Sequence, residues 1–262
     1  MTDAHPWTRY VAVGDSFSEG LVDPDPHRPG GYRGWADRLA AELAARTSAP
    51  FGYANLAVRG RKLDDVVGPQ LDRALAMGPD LVSVVGGGND ILRPRVDLDG
   101  LAERLEAAVA RIRATGADVL LATPSDPAGA GVFGSLRGRH AVHTANLHSI
   151  AQRHGAHVLD LWGLAAVRDS RMWGDDRIHL SPDGHHRVAQ AGLHALGVGT
   201  DGAWRVRLEA APRTSRRERA AKRATWAREY AGPWVSRRLR GVSSGDLIDA
   251  KRPELAPVPR ED

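Results

Sequence analysis

Ser16, Asp176 and His179 are the residues of this chain whose types and spacing suit nucleophilic chemistry. A serine hydroxyl is a weak nucleophile until a base takes its proton. Imidazole suits that task because its pKa lies near neutrality, and a carboxylate holds the ring in one tautomer and stabilises its charged form. In Asp176-Arg177-Ile178-His179 acid and imidazole share one short segment, so the carboxylate can reach one ring nitrogen and leave the other for Ser16. Taken singly these signals are weak. Gly14-Asp15-Ser16 has a composition that turns favour, and an Asp three residues before a His also describes a surface ion pair.

Acyl transfer further needs donors aimed at a developing oxyanion. Asn55-Leu56-Ala57-Val58-Arg59-Gly60 ends in a glycine whose N–H can face a site, and Gly86-Gly87-Gly88-Asn89-Asp90 presents a neutral amide. A phosphate-cradling loop is the competing reading of the three glycines. The spacing fits neither G-x-G-x-x-G nor the P-loop, and no Lys-Ser/Thr follows.

The elements that must position these residues alternate in type. Tyr10–Val13, Gly52–Leu56, Leu81–Val85, Asp118–Ala122 and Val158–Leu161 are short apolar runs that read as buried strands. Helices are expected over Trp35–Arg46, Pro69–Met77, the stripe Leu101, Leu105, Val109 and Ile112, His140–His154, and from Pro182 to about Leu196. Such alternation predicts an α/β fold with a mainly parallel sheet covered by helices on both faces. Its site belongs at the carboxyl ends of the strands, where Ser16, Gly60 and Asn89 each follow a predicted strand.

The order GDSFSEG, NLAVRG, GGGND and DRIHLS resembles the four blocks of the SGNH hydrolase (GDSL-type esterase/lipase) family, over Tyr10 to about Leu196. The resemblance implies a flavodoxin-like three-layer α/β/α sandwich. It also implies Ser16 as nucleophile, His179 as general base and acid, and Asp176 as its orienter, with the Ser16 N–H, the Gly60 N–H and the Asn89 amide forming the oxyanion hole. Asp15 is then structural. Phe17 stands where the family usually has leucine, an apolar exchange that reshapes the pocket floor. The implied reaction is two-step acyl transfer from an ester or thioester, with no metal or organic cofactor. The substrate expected is a small-molecule ester with a small or medium acyl group, on a carbohydrate or another alcohol. The same residues serve an acyltransferase that delivers the acyl group to a sugar or other metabolite alcohol. A third reading, a non-catalytic binding module, predicts no reaction with serine-directed reagents.

Other features of the chain compete with this site. His140, His143 and His148 lie on one predicted helix, but no carboxylate sits at the next turn to complete a zinc set. Asp126–Gly138, with Val132, Phe133 and Leu136, is a Gly-rich loop suited to covering an acyl group, and Asp23–Gly31 is a second loop near Ser16 in sequence. Among 262 residues there is no cysteine, so disulfides and thiolate metal sites are excluded.

The domain division expected is 1–199 for the hydrolase body and 200–262 for a basic C-terminal extension. The formal charge of +4 hides a net +9 between Arg205 and Arg240 (12 Lys/Arg, 3 Asp/Glu). Ala211–Tyr230 reads as a basic helix and Lys251–Asp262 as an extended, frayed end. The helix either covers the body with Trp226 and Tyr230, or meets an acidic surface or anionic lipid; nucleic acid is disfavoured because no recognised motif accompanies the charge. With no signal-peptide pattern and no run of apolar residues long enough for a membrane helix, a cytoplasmic location is expected.

Overall fold

The computed structural model describes residues 4–209, 215–233 and 244–258, the side chains at 129, 132, 133, 216, 219, 220, 222, 223 and 231 excepted. Five parallel strands, β1 (Arg9–Val13), β2 (Gly52–Asn55), β3 (Leu81–Val84), β4 (Asp118–Ala122) and β5 (His157–Leu159), form the body of one sheet. A sixth, β6 (Arg252–Pro257), joins it antiparallel to β2, giving the order β5-β4-β3-β1-β2-β6. The chain therefore steps outward in opposite directions from β1, with β2 on one side and β3 on the other. Crevices that receive ligands open beyond the strand ends at such a reversal.

Alternation along β1 shows how the sheet is covered. Tyr10 and Ala12 enter one apolar cluster with Trp35, Leu39, Leu43, Val188 and Leu193. Val11 and Val13 enter the other, with Leu63, Leu101, Leu105, Ile112 and Ile150. Helices α2 (Gly34–Ala45) and α8 (Pro182–Ala195) supply the first cluster. The second is built by α3 (Leu63–Asp65), α4 (Leu71–Ala76), α6 (Leu98–Ala114) and α7 (Arg137–His154). Two single-turn helices, α1 (Ser16–Glu19) and α5 (Gly88–Ile91), follow β1 and β3 directly. This is the three-layer α/β/α arrangement that the periodicity predicts.

Two departures have physical causes. The helix expected from Pro69 begins earlier, and Val66–Gln70 forms a π-turn between α3 and α4 with Pro69 inside it. Proline has no N–H to donate, which favours a widened turn over a regular one. The second departure corrects the frayed end expected for Lys251–Asp262. Residues 252–257 are β6, and Lys251 is partly buried with its Nζ donating to the carbonyls of Glu19, Tyr32 and Arg33 and to Asp37. Pro253 and Pro257 fit there because β6 is an edge strand, where a missing N–H costs no ladder bond. Residues 259–262 lie outside the described residues.

Of the basic extension, Arg216–Trp226 is helical (α9) and Ala227–Ala231 continues it as a π-turn. Residues 210–214 and 234–243 lie outside the described residues, with part of the expected charge. Among the described residues no helix is long and apolar enough to cross a membrane.

Candidate active site

Ser16 is placed by three constraints on the turn after β1. Asp15 caps α1, accepting from the Phe17 N–H at 3.0 Å. Gly14 packs where a side chain has no room: a Cβ there would lie 2.8 Å from Ser18 Oγ and 3.1 Å from the Val85 carbonyl. The π-turn then aims Gln70 at this glycine. Gln70 Oε1 accepts from the Gly14 N–H at 2.8 Å and Gln70 Nε2 donates to the Gly14 carbonyl at 3.0 Å. The backbone before Ser16 is thus held from both sides.

His179 and Asp176 come from the loop between Trp173 and Leu180, which are bridged as an antiparallel pair. His179 Nδ1 lies 2.6 Å from Asp176 Oδ2, and His179 Nε2 lies 2.9 Å from Ser16 Oγ. A carboxylate can only accept, so Nδ1 carries the proton and donates it to Asp176. Nε2 of the neutral ring is then the acceptor for the Ser16 hydroxyl. Burial pushes the Asp176 pKa up, but the His179 ring together with the Ile178 and His179 N–H groups outweighs it, and the carboxyl is held below its usual range. Asp176 is ionised at neutral pH.

The segments of Gly60 and Asn89 are tied to Ser16 by a closed circuit of hydrogen bonds. Glu19, at the end of α1, accepts from the Arg59 N–H at 2.7 Å and pairs with its guanidinium. Arg61, one residue past Gly60, presents its carbonyl to Asn89 Nδ2 at 2.9 Å. The same Nδ2 donates to Asp15 Oδ2 at 3.1 Å, and Asp15 adjoins Ser16. Gly60 is in the left-handed region at φ 75°, and its N–H has no acceptor among the described residues. Both hydrogens of the Asn89 amide are taken in this arrangement, so donating to an oxyanion requires one to turn away from Asp15 or Arg61. Asp15 is pushed up to about 6, chiefly by burial.

Beside Ser16 a cavity of about 170 Å³ is lined by Phe17, Val85, Ala122, Leu161, Trp173 and Ile178, among others. Its wall after β4 comes from Thr123, Pro124 and Ser125. None of the described residues of the expected covering loop, Asp126–Gly138, lines it. That loop instead forms two 3₁₀ turns around Asp126, whose carboxylate is held by Arg137 and Arg168. The side chains of Val132 and Phe133 lie outside the described ones. In the other loop, Asp23 is buried and pairs with Arg38 through both oxygens, at 2.8 and 3.0 Å.

The helical histidines have separate occupations. His140 Nδ1 faces the Leu136 carbonyl, His143 Nε2 the Gly86 carbonyl, and His148 lies 3.9 Å from Asp160. Among the described residues no group of three or more His, Asp or Glu converges as a metal would require. Sequence reasoning singles out neither Gln70 nor Glu19, and it considers His143 only as a metal ligand, not as a support of the Gly86 carbonyl. Each acts through a backbone atom far away in the chain, and no local pattern signals that. Leu161, expected to end a strand, lies past the end of β5 and lines the cavity with Trp173 and Ile178, a placement no local pattern signals.

A model of the GDSL-like lipase/acylhydrolase family matches residues 12–187. Among solved structures, similarity extends to LAE5, an α/β hydrolase enzyme from the metagenome of Lake Arreo, Spain, at 24% identity over 72% of this chain and 95% of that one (TM-score 0.61). It extends to the psychrotrophic esterase EstA from Pseudoalteromonas sp., at 19% identity over 72% and 97% (TM-score 0.57). A catalytic mutant of the acetylxylan esterase Axe2 from Geobacillus stearothermophilus is similar at 17% identity over 80% and 100% (TM-score 0.61). No curated protein sequence matches significantly. Because the matched span holds more than half of the sequence, including Ser16, Gly60, Asn89, Asp176 and His179, the chain belongs to the GDSL-like lipase/acylhydrolase family and is an ester-hydrolysing enzyme.

Proposed function

We propose that this enzyme hydrolyses carboxylic esters of short acyl groups through an acyl-serine intermediate on Ser16. One observation carries the reading: the continuous line from Ser16 Oγ to His179 Nε2 at 2.9 Å and from His179 Nδ1 to Asp176 at 2.6 Å. In the first half-reaction Ser16 Oγ bonds to the ester carbonyl carbon while its proton passes to His179 Nε2. The carbonyl oxygen becomes an oxyanion, received by the Ser16 and Gly60 N–H groups and the Asn89 amide. Collapse breaks the ester C–O bond, and the leaving alcohol takes the proton from His179. Water then adds to the acyl-enzyme, giving its proton to His179. The acid departs as that proton returns to Ser16 Oγ. Asp176 stays ionised throughout and stabilises the imidazolium.

The cavity supports the choice of acyl group. At about 170 Å³ and lined by Trp173, Phe17 and Leu161, it suits a short acyl chain. An acetylated carbohydrate is a substrate class in keeping with this size, and acetylxylan esterases are among the proteins of similar fold. The test is turnover of p-nitrophenyl esters from acetate to decanoate by the wild type and Ser16→Ala. kcat/KM is expected to be highest at two to four acyl carbons and to fall by at least ~10³ in the variant. A preference for the longest esters would overturn the acyl assignment. Fast acylation with slow release to water, sped up by added alcohols, would assign the acyl-enzyme to transfer.

A further inference from the structure

The basic extension touches the loop that carries Asp176 and His179 at Trp226, 39 residues beyond the family-matched span. Trp226, at the end of α9, donates its indole N–H to the Asp176 carbonyl at 2.8 Å. The guanidinium of Arg177 lies 5.5 Å from the centre of the same indole ring. Arg177 is one of three non-glycine residues with positive φ among the described residues, at 57°. A non-glycine residue in the left-handed region is strained and persists only where surrounding contacts hold it. The left-handed step at Arg177 turns the chain so that the Ile178 and His179 N–H groups both point at the Asp176 carboxylate, at 2.9 and 3.0 Å. The contacts of Trp226 fall on the two residues flanking the peptide bond where that turn begins.

From this we infer that Trp226 is a positioning residue for the reaction, holding the left-handed turn that aims Asp176 and His179 at Ser16. The inference rests on the proposed roles of these three residues. It makes the extension part of the working enzyme rather than an appendage to it. The indole N–H fixes the Asp176 carbonyl, and the ring face fixes Arg177 in the conformation it would otherwise leave. With both contacts gone, the loop gains freedom and the imidazole spends less time within reach of the Ser16 hydroxyl. Neither Trp226 nor Arg177 lines the cavity beside Ser16, so substrate binding is left as it was.

The experiment compares full-length wild type, Trp226→Phe, Arg177→Gly and the double variant, using p-nitrophenyl acetate and thermal unfolding. Phenylalanine keeps a ring face for Arg177 and removes only the N–H. Trp226→Phe is expected to lower kcat roughly threefold to tenfold with KM little changed. Glycine adopts the left-handed turn freely, so Arg177→Gly in the Trp226→Phe background is expected to restore most of the lost kcat. Unchanged kcat in Trp226→Phe overturns the inference. So does a loss that tracks a lowered melting temperature and is not restored by glycine, since that marks a purely structural contact. Ser16→Ala and His179→Ala run alongside. If either keeps wild-type activity, the triad reading has failed; if both are dead while Trp226→Phe is unaffected, only the positioning role has.

Discussion

At the scale of single residues, the site depends on groups that take no part in the chemistry. Asp15 is the clearest: it caps α1, holds one hydrogen of Asn89, and is buried next to the nucleophile. Its folded-state pKa of about 6 lies above the ordinary 3.8, chiefly through burial. The stability it contributes is therefore fully present below about pH 4 and is lost as pH rises through about 6. Asparagine does not titrate. The stability of the wild type relative to Asp15→Asn should thus fall by on the order of 3 kcal/mol between pH 4 and pH 7, measured by urea denaturation at several pH values. A pH-independent difference would show that Asp15 ionises as easily folded as unfolded. That Ser16, Asp176 and His179 come together was legible in the sequence, because these types have few uses in such an order. The state of the Asn89 amide was not, because its partners Asp15 and Arg61 reach it through the fold.

At the scale of elements, the strands were legible from short apolar runs and the helices from their apolar stripes. Where sequence and structure part, a tertiary partner decides. The π-turn at Val66–Gln70 is a case, since its outcome is a clamp on Gly14. Strand β6 is another: its residues alternate weakly and contain two prolines, and only the open edge of β2 makes them a strand. The Gly86-Gly87-Gly88 segment is held in a similar way by α7. His143 is buried there, its pKa lowered by burial, and its neutral ring donates from Nε2 to the Gly86 carbonyl at 3.1 Å. Gly87 sits at φ 89°, and a Cβ on it would lie 2.9 Å from that ring. Gly87→Ala should therefore cost about 1–3 kcal/mol of stability, read from denaturant midpoints, and should lower kcat by displacing Asn89. Wild-type stability and rate in this variant would show that the segment yields to accommodate a methyl group.

At the scale of the whole molecule, the line from Ser16 to His179 joins residues 163 positions apart. The first arrives at the end of β1, and the second on the loop before α8. Asp176 reaches His179 locally, but Ser16 and His179 meet only when the fold brings the end of β1 to that loop. The fold class was legible because alternating elements leave few ways to bury both faces of a sheet. The course of the extension was not, because Trp226 and Lys251 find their partners on loops and helix ends that carry no pattern. The central claim, that the fold makes Ser16 an activated nucleophile, is tested most directly by reacting the native protein with a fluorophosphonate and mapping the adduct by mass spectrometry. The account predicts one adduct per chain, on Ser16, absent from urea-unfolded protein and from His179→Ala. An unmodified native protein, or an adduct on another serine, would contradict it.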